Sequence, residues 1–267
     1  MTIKPSISIF GNGRVGGALQ NSCAKAGYKI ESVYSRNLFP SSIDELGEVI
    51  FLTVQDSEIE NLAKKLSSAF DDLSKNIIVH CSGTLSSSIL KSLEKKGSKV
   101  ASFHPLKAIT PNEDSLEGVW FDMEGDEGAL IVLEKIIKDL GANCFEVKPE
   151  AKPLLHASAV VSSNYLVSLL KLATDIAETG GIDPDIALKA LVPLAESSLE
   201  NIKKKGFEKA LTGPIERGDV KTIQEHLKQL KENPDLLNLY KALGHKTISI
   251  AKGLNENQIR DLKQLLD

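Results

Sequence analysis

A glycine-rich segment near the start of the chain, Gly11 to Gly17 with the sequence GNGRVGG, most constrains how this protein can fold. It follows the apolar run ISIF at residues 7–10 and precedes a helix-like pattern of apolar residues. In this setting Gly11 allows a tight turn out of a strand, Gly13 lets a pyrophosphate approach bare backbone, and Gly16 lets the helix lie close to the sheet. The anion would meet unpaired N–H groups at the positive end of that helix. The segment therefore predicts a dinucleotide site, to which we also assign the other loop residues Asn12, Arg14 and Val15.

Strand-like and helix-like patterns alternate through the first half of the chain, which predicts a doubly wound, mostly parallel α/β sheet of the Rossmann type. The predicted strands cover residues 3–10, 28–34, 49–54, 76–81, 100–103, 119–123 and 143–147. After Lys148-Pro149 the pattern is helical only. We therefore predict a dinucleotide-binding domain over residues 1–148 and an all-helical substrate and dimerisation domain over residues 149–267.

Charge and cysteine content exclude several classes of protein. A formal net charge of −4 argues against a nucleic-acid-binding surface, which needs a clustered basic excess. Cys23, Cys81 and Cys144 show no C-x-x-C spacing, so we expect neither a disulfide framework nor a metal site. Neither a signal peptide nor an uninterrupted apolar run of about eighteen residues is evident, and we expect a cytoplasmic protein that does not interact with membranes.

The end of the second predicted strand bears on which dinucleotide is bound. NAD sites place a carboxylate there for the ribose hydroxyls, whereas NADP sites place hydroxyl and guanidinium groups there for the 2′-phosphate. Glu31 stands at the nominal distance from Gly11, but Val33 and Tyr34 indicate that the strand continues past it. The tip is then Ser35-Arg36, which favours NADP over NAD because arginine offers a charged, forked donor. A loop register two residues different would favour NAD, and Arg36 could also be a solvated loop residue.

Ligands of an open α/β sheet lie outside the carboxyl ends of its strands, and the polar residues there are the candidates for chemistry. We assign Val54 and Ser82, after strands three and four, to the cofactor. His104, after strand five, is our candidate proton donor, because histidine can transfer a proton near neutral pH. The alternative is that His104 only holds a loop by hydrogen bonds. Lys107 is a second candidate acid or substrate ligand.

Several motifs beyond the glycine loop resemble one group of proteins. These are TVQD at 53–56, HCSG at 80–83, FHPL at 103–106, HASAVVSSNYL at 156–166 and LTGPIERGD at 211–219. They resemble Rossmann-like NADP-dependent oxidoreductases with an uncharacterised helical C-terminal domain. The resemblance implies kinship with pyrroline carboxylate reductases, ketopantoate reductases, prephenate dehydrogenases and hydroxyisobutyrate dehydrogenases, in which the helical domain often dimerises and the active site lies in the cleft. His104-Pro105 is similar to the His-Pro of prephenate dehydrogenases, where the histidine assists hydride transfer.

The helical half supplies the remaining candidates. Hydroxyacid members of that group bear a lysine four positions before an asparagine, whereas Val160 stands four positions before Asn164 here, so simple hydroxyacid chemistry is not expected. His156 and Asn164 share one face of a predicted helix over residues 151–177, with Ser163 beside them. Polar groups on an apolar helix are costly unless paired, which indicates either a cleft lining or hydrogen bonds between helices. Arg217 is our candidate anchor for a substrate carboxylate.

Together these features predict an NADPH-dependent reductase of a small carbonyl or imine compound, including compounds that carry a carboxylate. In this hypothesis His104 donates the proton, Asn164 and Ser163 orient the substrate, and His156, Lys107 and Arg217 bind it. The alternative is a non-catalytic NADP(H)-binding sensor or interaction protein, which the missing lysine supports. We also predict a homodimer through the 151–177 helix, because its apolar circumference is too wide for one neighbouring helix.

Overall fold

The chain forms an α/β unit and a helical unit, described from a computed structural model for residues 4–110 and 115–267. The strands of the first unit are β1 (Ile7–Phe10), β2 (Ile30–Tyr34), β3 (Val49–Leu52), β4 (Ile77–His80), β5 (Lys99–Pro105), β6 (Trp120–Gly125) and β7 (Asn143–Glu146). Each coincides with one of the seven predicted strands, with ends that differ by a few residues. β5 continues two residues further than predicted, so His104 lies within this strand and not in the loop after it.

These strands form one sheet in the order β2-β1-β3-β4-β5-β6-β7. All neighbouring pairs are parallel except β5 and β6, which are antiparallel. The central strands β1 and β3 are fully buried and almost entirely apolar, as expected for parallel strands covered on both faces. The predicted fold class, a doubly wound and mostly parallel sheet followed by helices, is confirmed.

Helices cover both faces of this sheet. Apolar residues of α1 (Arg14–Lys25) and α4 (Glu127–Asp139) pack into one buried cluster. Those of α2 (Asp56–Ala69) and of the short α3 (Lys91–Glu94) pack into the other. Because the strands between them are parallel, β1, β3 and β4 all end at the same edge of the sheet.

The boundary between the two compact units falls later than the predicted one at residue 148. The first unit runs to Ser163 and the second from Asn164 to Asp267. Helix α5 (Lys152–Ser162) therefore belongs to the first unit. The physical reason is Lys152, which is fully buried and donates a hydrogen bond to Asp122 of β6, joining this helix to the sheet.

The second unit contains helices and the turns between them, and no strand among its described residues. Its helices are α6 (Asn164–Thr179), α7 (Pro184–Ala210), α8 (Val220–Leu230), α9 (Pro234–Ile248) and α10 (Glu256–Leu266). The single helix predicted over 151–177 is instead broken at Ser163, where ψ is −70° and φ is −118°. In α7, which also contains Pro193, the backbone departs from helical angles at Gly206, with φ 75°. Glycine has no Cβ and so adopts positive φ at little cost.

The helical stretch Pro149–Thr179 is long and apolar enough to cross a membrane by length and composition. None of its most apolar window is buried in the structure. Exposed apolar patches of this kind are typical of surfaces that contact lipid or another protein.

Candidate functional site

The glycine loop has the geometry that its sequence predicts. Gly11 has φ 107°, and its carbonyl accepts a hydrogen bond from Thr53 Oγ1 at 2.7 Å. A Cβ on Gly16 would stand 2.0 Å from that same carbonyl oxygen, so only glycine lets α1 approach the loop this closely. A Cβ on Gly13, in contrast, would meet nothing within 4 Å. The loop is therefore closed towards the sheet and open outwards at Gly13.

The N-terminus of α1 has no capping side chain among the described residues. Gly13 is the N-cap residue, and the first turn contains no acidic residue. Unpaired N–H groups and the positive end of the helix dipole are thus available to an anion. Arg14, Val15 and Gly16 form the start of this helix, so the whole predicted loop surrounds one anion-binding end. These residues fit the pyrophosphate of a dinucleotide.

A cleft of about 570 Å³ lies next to this loop, at the carboxyl ends of β1, β2 and β3. Six of the predicted cofactor residues line it together: Gly11, Asn12, Gly13, Ser35, Arg36 and Val54. β2 continues through Tyr34, as predicted, so Ser35 and Arg36 follow directly at its tip. Glu31 forms an ion pair with Lys29 at 2.6 Å and is not among the described lining residues. The cleft thus presents a guanidinium, not the Glu31 carboxylate, at the end of β2.

Ser82, also predicted to bind cofactor, lies elsewhere. Ser82 is buried after β4, and its hydroxyl donates a hydrogen bond to Asp56 Oδ2 at 2.6 Å. It is not among the residues described as lining the cleft. The same carboxylate oxygen accepts a second hydrogen bond from Thr84. Ser82 therefore orders the turn after β4, and its predicted contact with the cofactor stays a prediction.

His104 is held by a buried carboxylate that the sequence analysis did not identify. Asp122 faces His104 across the antiparallel pair of β5 and β6, and its Oδ2 lies 2.7 Å from His104 Nδ1. Asp122 Oδ1 accepts a hydrogen bond of 2.8 Å from Lys152 Nζ. The side chains of Asp122 and Lys152 are essentially inaccessible, whereas that of His104 is 16% exposed. A buried chain of hydrogen bonds, Lys152–Asp122–His104, therefore ends at a histidine that solvent can reach.

The ionisation of Asp122 follows from these contacts. Burial by itself raises the pKa of Asp122, but the hydrogen bonds from His104 and Lys152 outweigh burial and bring the pKa below its ordinary value. Asp122 is thus a carboxylate, and His104 Nδ1 carries the proton of their shared hydrogen bond. This assignment leaves His104 Nε2 as the ring atom available for proton transfer.

A second histidine stands beside His104. The ring centroids of His104 and His156 are 5.9 Å apart, with the planes inclined by 61°. Both rings approach Gly83: a Cβ there would lie 2.8 Å from His104 Nε2 and 2.6 Å from His156 Nδ1. His156 Nδ1 is buried and has no hydrogen-bond partner among the described residues. The structure thus brings two predicted residues, His104 and His156, together around an unpredicted glycine.

His80 lies close to this cluster but differs from it electrostatically. It is fully buried at the end of β4, and its Nδ1 accepts a hydrogen bond from Ser82 N at 3.2 Å. Burial lowers the pKa of His80 to about 4; the ammonium of Lys152 adds to this, while Ser86, Asp56 and Asp122 oppose it. His80 is therefore neutral near pH 7 and packs at the strand end.

The other predicted site residues are placed as follows. Lys107 Nζ donates to the carbonyl of Ser115 at 3.0 Å. Ser163 is the C-cap of α5, and Asn164 is the exposed first residue of α6. Arg217 belongs to the second unit, where it is exposed, while Asp219 caps α8 by accepting from Thr222 N and Oγ1. The substrate roles of Asn164, Ser163, Lys107 and Arg217 stay predictions.

Three residues of the site escaped the sequence analysis. Gly83 stands two residues after a predicted strand, within the motif HCSG, and a glycine in that position can mark a close approach. Asp122 was visible as an acidic residue inside the otherwise largely apolar strand VWFDM. Lys152 begins an apolar helical stretch and gave no signal of its own, because only the tertiary structure buries it.

Comparison with known proteins identifies the fold. Residues 119–247 match the family described as a domain of unknown function (DUF2520). No curated protein sequence matches the chain. The matched residues begin just before β6 and end in α9. Along the chain, a Rossmann-type sheet precedes the helices, as the motifs predicted.

Solved structures give the same result. The NADP oxidoreductase candidate BF3122 from Bacteroides fragilis has a TM-score of 0.72 at 19% identity, with 92% of this chain and 98% of that chain covered. Protein TM1727 from Thermotoga maritima has a TM-score of 0.70 at 27% identity, with the same coverage. Pyrroline carboxylate reductase from Plasmodium falciparum, solved with NADP bound, has a TM-score of 0.61 at 15% identity, with 98% of each chain covered. The predicted kinship is therefore confirmed for the fold.

Proposed function

We propose that the protein is an NADP(H)-dependent oxidoreductase that reduces a small carbonyl or imine compound, including compounds that carry a carboxylate. One observation carries the proposal: His104, fixed by Asp122, and the nucleotide cleft both lie at the edge of the sheet where β1, β3 and β4 end. The similar Plasmodium protein, whose name refers to a cyclic imine with a carboxylate, supports the substrate class.

The cofactor would be held by the glycine loop and the cleft. The open face at Gly13 and the uncapped start of α1 fit the pyrophosphate, and Ser35 and Arg36 fit a 2′-phosphate. When bound, NADPH supplies a hydride. The protein must then provide a proton for the substrate oxygen or nitrogen and must hold the substrate in place.

His104 supplies that proton in our proposal. As an imidazolium it donates the Nε2 proton while Asp122 retains the hydrogen bond to Nδ1 and balances the positive charge. Lys152 keeps Asp122 ionised, so the carboxylate orients the ring without taking up its proton. The partly exposed ring of His104 can regain a proton from solvent after each turnover.

His156 binds the substrate through Nδ1 in our proposal, because this atom has no partner among the described residues. Four further residues complete the proposed set of substrate ligands: Asn164, Ser163, Lys107 and Arg217.

A substrate screen with NADPH tests this function. Purified protein is incubated with NADPH and keto acids, cyclic imines or aldehydes, and loss of absorbance at 340 nm is followed. We expect turnover with at least one class, a fall of about 10²–10⁴-fold in His104→Ala, and unchanged nucleotide binding. His226→Ala is the matched control, because that histidine pairs with Tyr240 instead. Tight nucleotide binding without turnover on any of these compounds would overturn the reductase and favour the sensor.

We further propose a cytoplasmic homodimer that forms through the 151–177 stretch, which includes most of α6. Its exposed side chains include Tyr165, at 60% exposure, and Val167, at 70%. A second copy of the chain would cover this apolar face, and the free cysteines suit a reducing compartment. Sedimentation velocity at micromolar concentration should give a dimer that Val167→Glu dissociates. A monomer that floats with phosphatidylcholine vesicles would overturn the dimer in favour of a membrane contact.

A further inference from the structure

One face of α2 forms a wall of the nucleotide cleft. Four residues of α2 line the cleft, and their i, i+3, i+4, i+7 spacing places them on one side of the helix: Glu58, Asn61, Leu62 and Lys65. The opposite side of α2 is buried in the core through Ile59, Ala63 and Leu66. Core packing therefore fixes the rotation of this helix, and with it the direction in which the cleft face points.

Lys65 is the cation of this wall. Its Nζ stands 4.0 Å from the centre of the Phe39 ring, another residue of the cleft. Within residues 4–110 and 115–267, Lys65 forms no ion pair with a carboxylate. Its neighbour Lys64, in contrast, forms an ion pair with Glu60 at 2.6 Å. Contact with an aromatic face holds the ammonium in place without neutralising its charge.

Lys65 shares the cleft with Arg36, which comes from a different element. Arg36 follows β2, and it too forms no ion pair in the described part of the chain. Glu58 is the one carboxylate among the described lining residues, and it lies two helical turns from Lys65. Two cations without acidic partners in one cleft favour a ligand group with about two negative charges.

We propose that Lys65 and Arg36 together bind the 2′-phosphate of NADP(H), so that Lys65 is a specificity-determining residue for NADP over NAD. A phosphate monoester carries about −1.5 to −2 charges near pH 7, which two cations match. In NAD the adenosine ribose carries a 2′-hydroxyl in place of the 2′-phosphate. Because this hydroxyl is uncharged, the two cations add little to the binding of NAD. This inference rests on the proposed function, because it assigns one subsite of the cofactor that the function requires.

Two pairs of nucleotides isolate this subsite. Adenosine 2′,5′-bisphosphate and adenosine 5′-monophosphate differ only in the 2′-phosphate, as do NADPH and NADH. Binding is measured by isothermal titration calorimetry for the wild type, Lys65→Gln, Lys65→Arg and the matched control Lys64→Gln. The fragments report on the subsite without any contribution from the nicotinamide or from catalysis.

We expect Lys65→Gln to weaken binding of the bisphosphate and of NADPH about tenfold, as for one charge-assisted hydrogen bond. Binding of the monophosphate and of NADH should change less than twofold. Lys65→Arg should retain most of the preference, and Lys64→Gln should bind all four ligands like the wild type. Raising the salt concentration should narrow the difference between the wild type and Lys65→Gln, because screening weakens the same interaction.

Equal losses for both members of each pair would overturn the inference and would make Lys65 a packing residue of the cleft wall. A wild type that prefers NADH would also overturn it, together with the NADP(H) preference of the proposed function. Where the losses are merely equal, nucleotide binding itself would persist and the proposed function would stand. A wild type that binds none of the four nucleotides would instead overturn the proposed function together with this subsite.

Discussion

The nucleotide cleft and the Lys152–Asp122–His104 cluster are built by opposite means, although both belong to the first unit. The glycine loop is shaped by backbone: Gly11 and Gly16 touch each other and Thr53, and no side chain caps the helix that follows. The cluster is shaped by charge, with a carboxylate buried between an ammonium and an imidazole. A substitution in the loop should therefore act through steric fit, whereas one in the cluster should act through an unpaired buried charge.

Asp122→Asn should have the largest effect. It leaves the Lys152 ammonium buried without a counter-charge, and breaking a buried pair in this way typically costs about 3–5 kcal/mol. Urea unfolding should show this loss, and NADPH turnover should fall because His104 loses its orienting carboxylate. In the double variant Asp122→Asn/Lys152→Met stability should recover while turnover stays low. Equal stability of the single variant and the wild type would show that the charges are not coupled.

Acidification should destabilise the first unit through His80. The ordinary pKa of histidine is 6.5 and that of buried His80 is about 4, so the unfolded chain binds the extra proton between these values. Stability therefore falls as pH drops from about 6.5 to about 4, by up to roughly 3 kcal/mol, because one pKa unit corresponds to about 1.4 kcal/mol. His80→Asn, which keeps an acceptor near the position of Nδ1, should flatten this slope in urea titrations. Asp122 titrates lower and affects stability only at still more acidic pH.

Gly16→Ala tests the steric side of the comparison. The new Cβ would stand 2.0 Å from the Gly11 carbonyl oxygen, and the loop must shift to admit it. We expect a loss of about 1–3 kcal/mol and weaker NADPH binding, measured by thermal unfolding and calorimetry. Gly17→Ala is the matched control: its Cβ meets nothing within 4 Å, and alanine in a helix should leave stability unchanged or raise it by up to about 1 kcal/mol. Similar behaviour of the two variants would contradict the close contact.

Thr53→Val should give the smallest change. It removes the hydrogen bonds from Thr53 Oγ1 to the carbonyls of Gly11 and Phe10, at 2.7 and 3.1 Å. Such hydrogen bonds contribute about 1 kcal/mol each in net terms. The carbonyl groups of the loop lie near the cleft and can accept hydrogen bonds from water instead. Thermal unfolding should show a small decrease with NADPH still bound. A complete loss of binding would mean that side-chain hydrogen bonds, not glycine geometry, shape the loop.

The fold was predictable to a large extent because its signals are local. Seven apolar segments bounded by turn residues became the seven strands, and the glycine loop assumed its expected form from the spacing of Gly11, Gly13 and Gly16. The unbroken 151–177 helix was not reproduced, because the chain breaks at Ser163 and such a break leaves no periodic pattern. The domain boundary at residue 148 stays a prediction, while the compact units meet after Ser163.

The sequence by itself determined that a dinucleotide fold lies at the start of the chain, that Ser35-Arg36 ends the second strand, and that His104 stands near the edge of the sheet. These features depend on neighbours within a few residues. Only the tertiary structure decided that Asp122 faces His104 across an antiparallel pair, that Lys152 neutralises it and that Lys65 turns into the cleft. Strand register and helix packing join residues far apart in the chain, and no local pattern records which of them will meet.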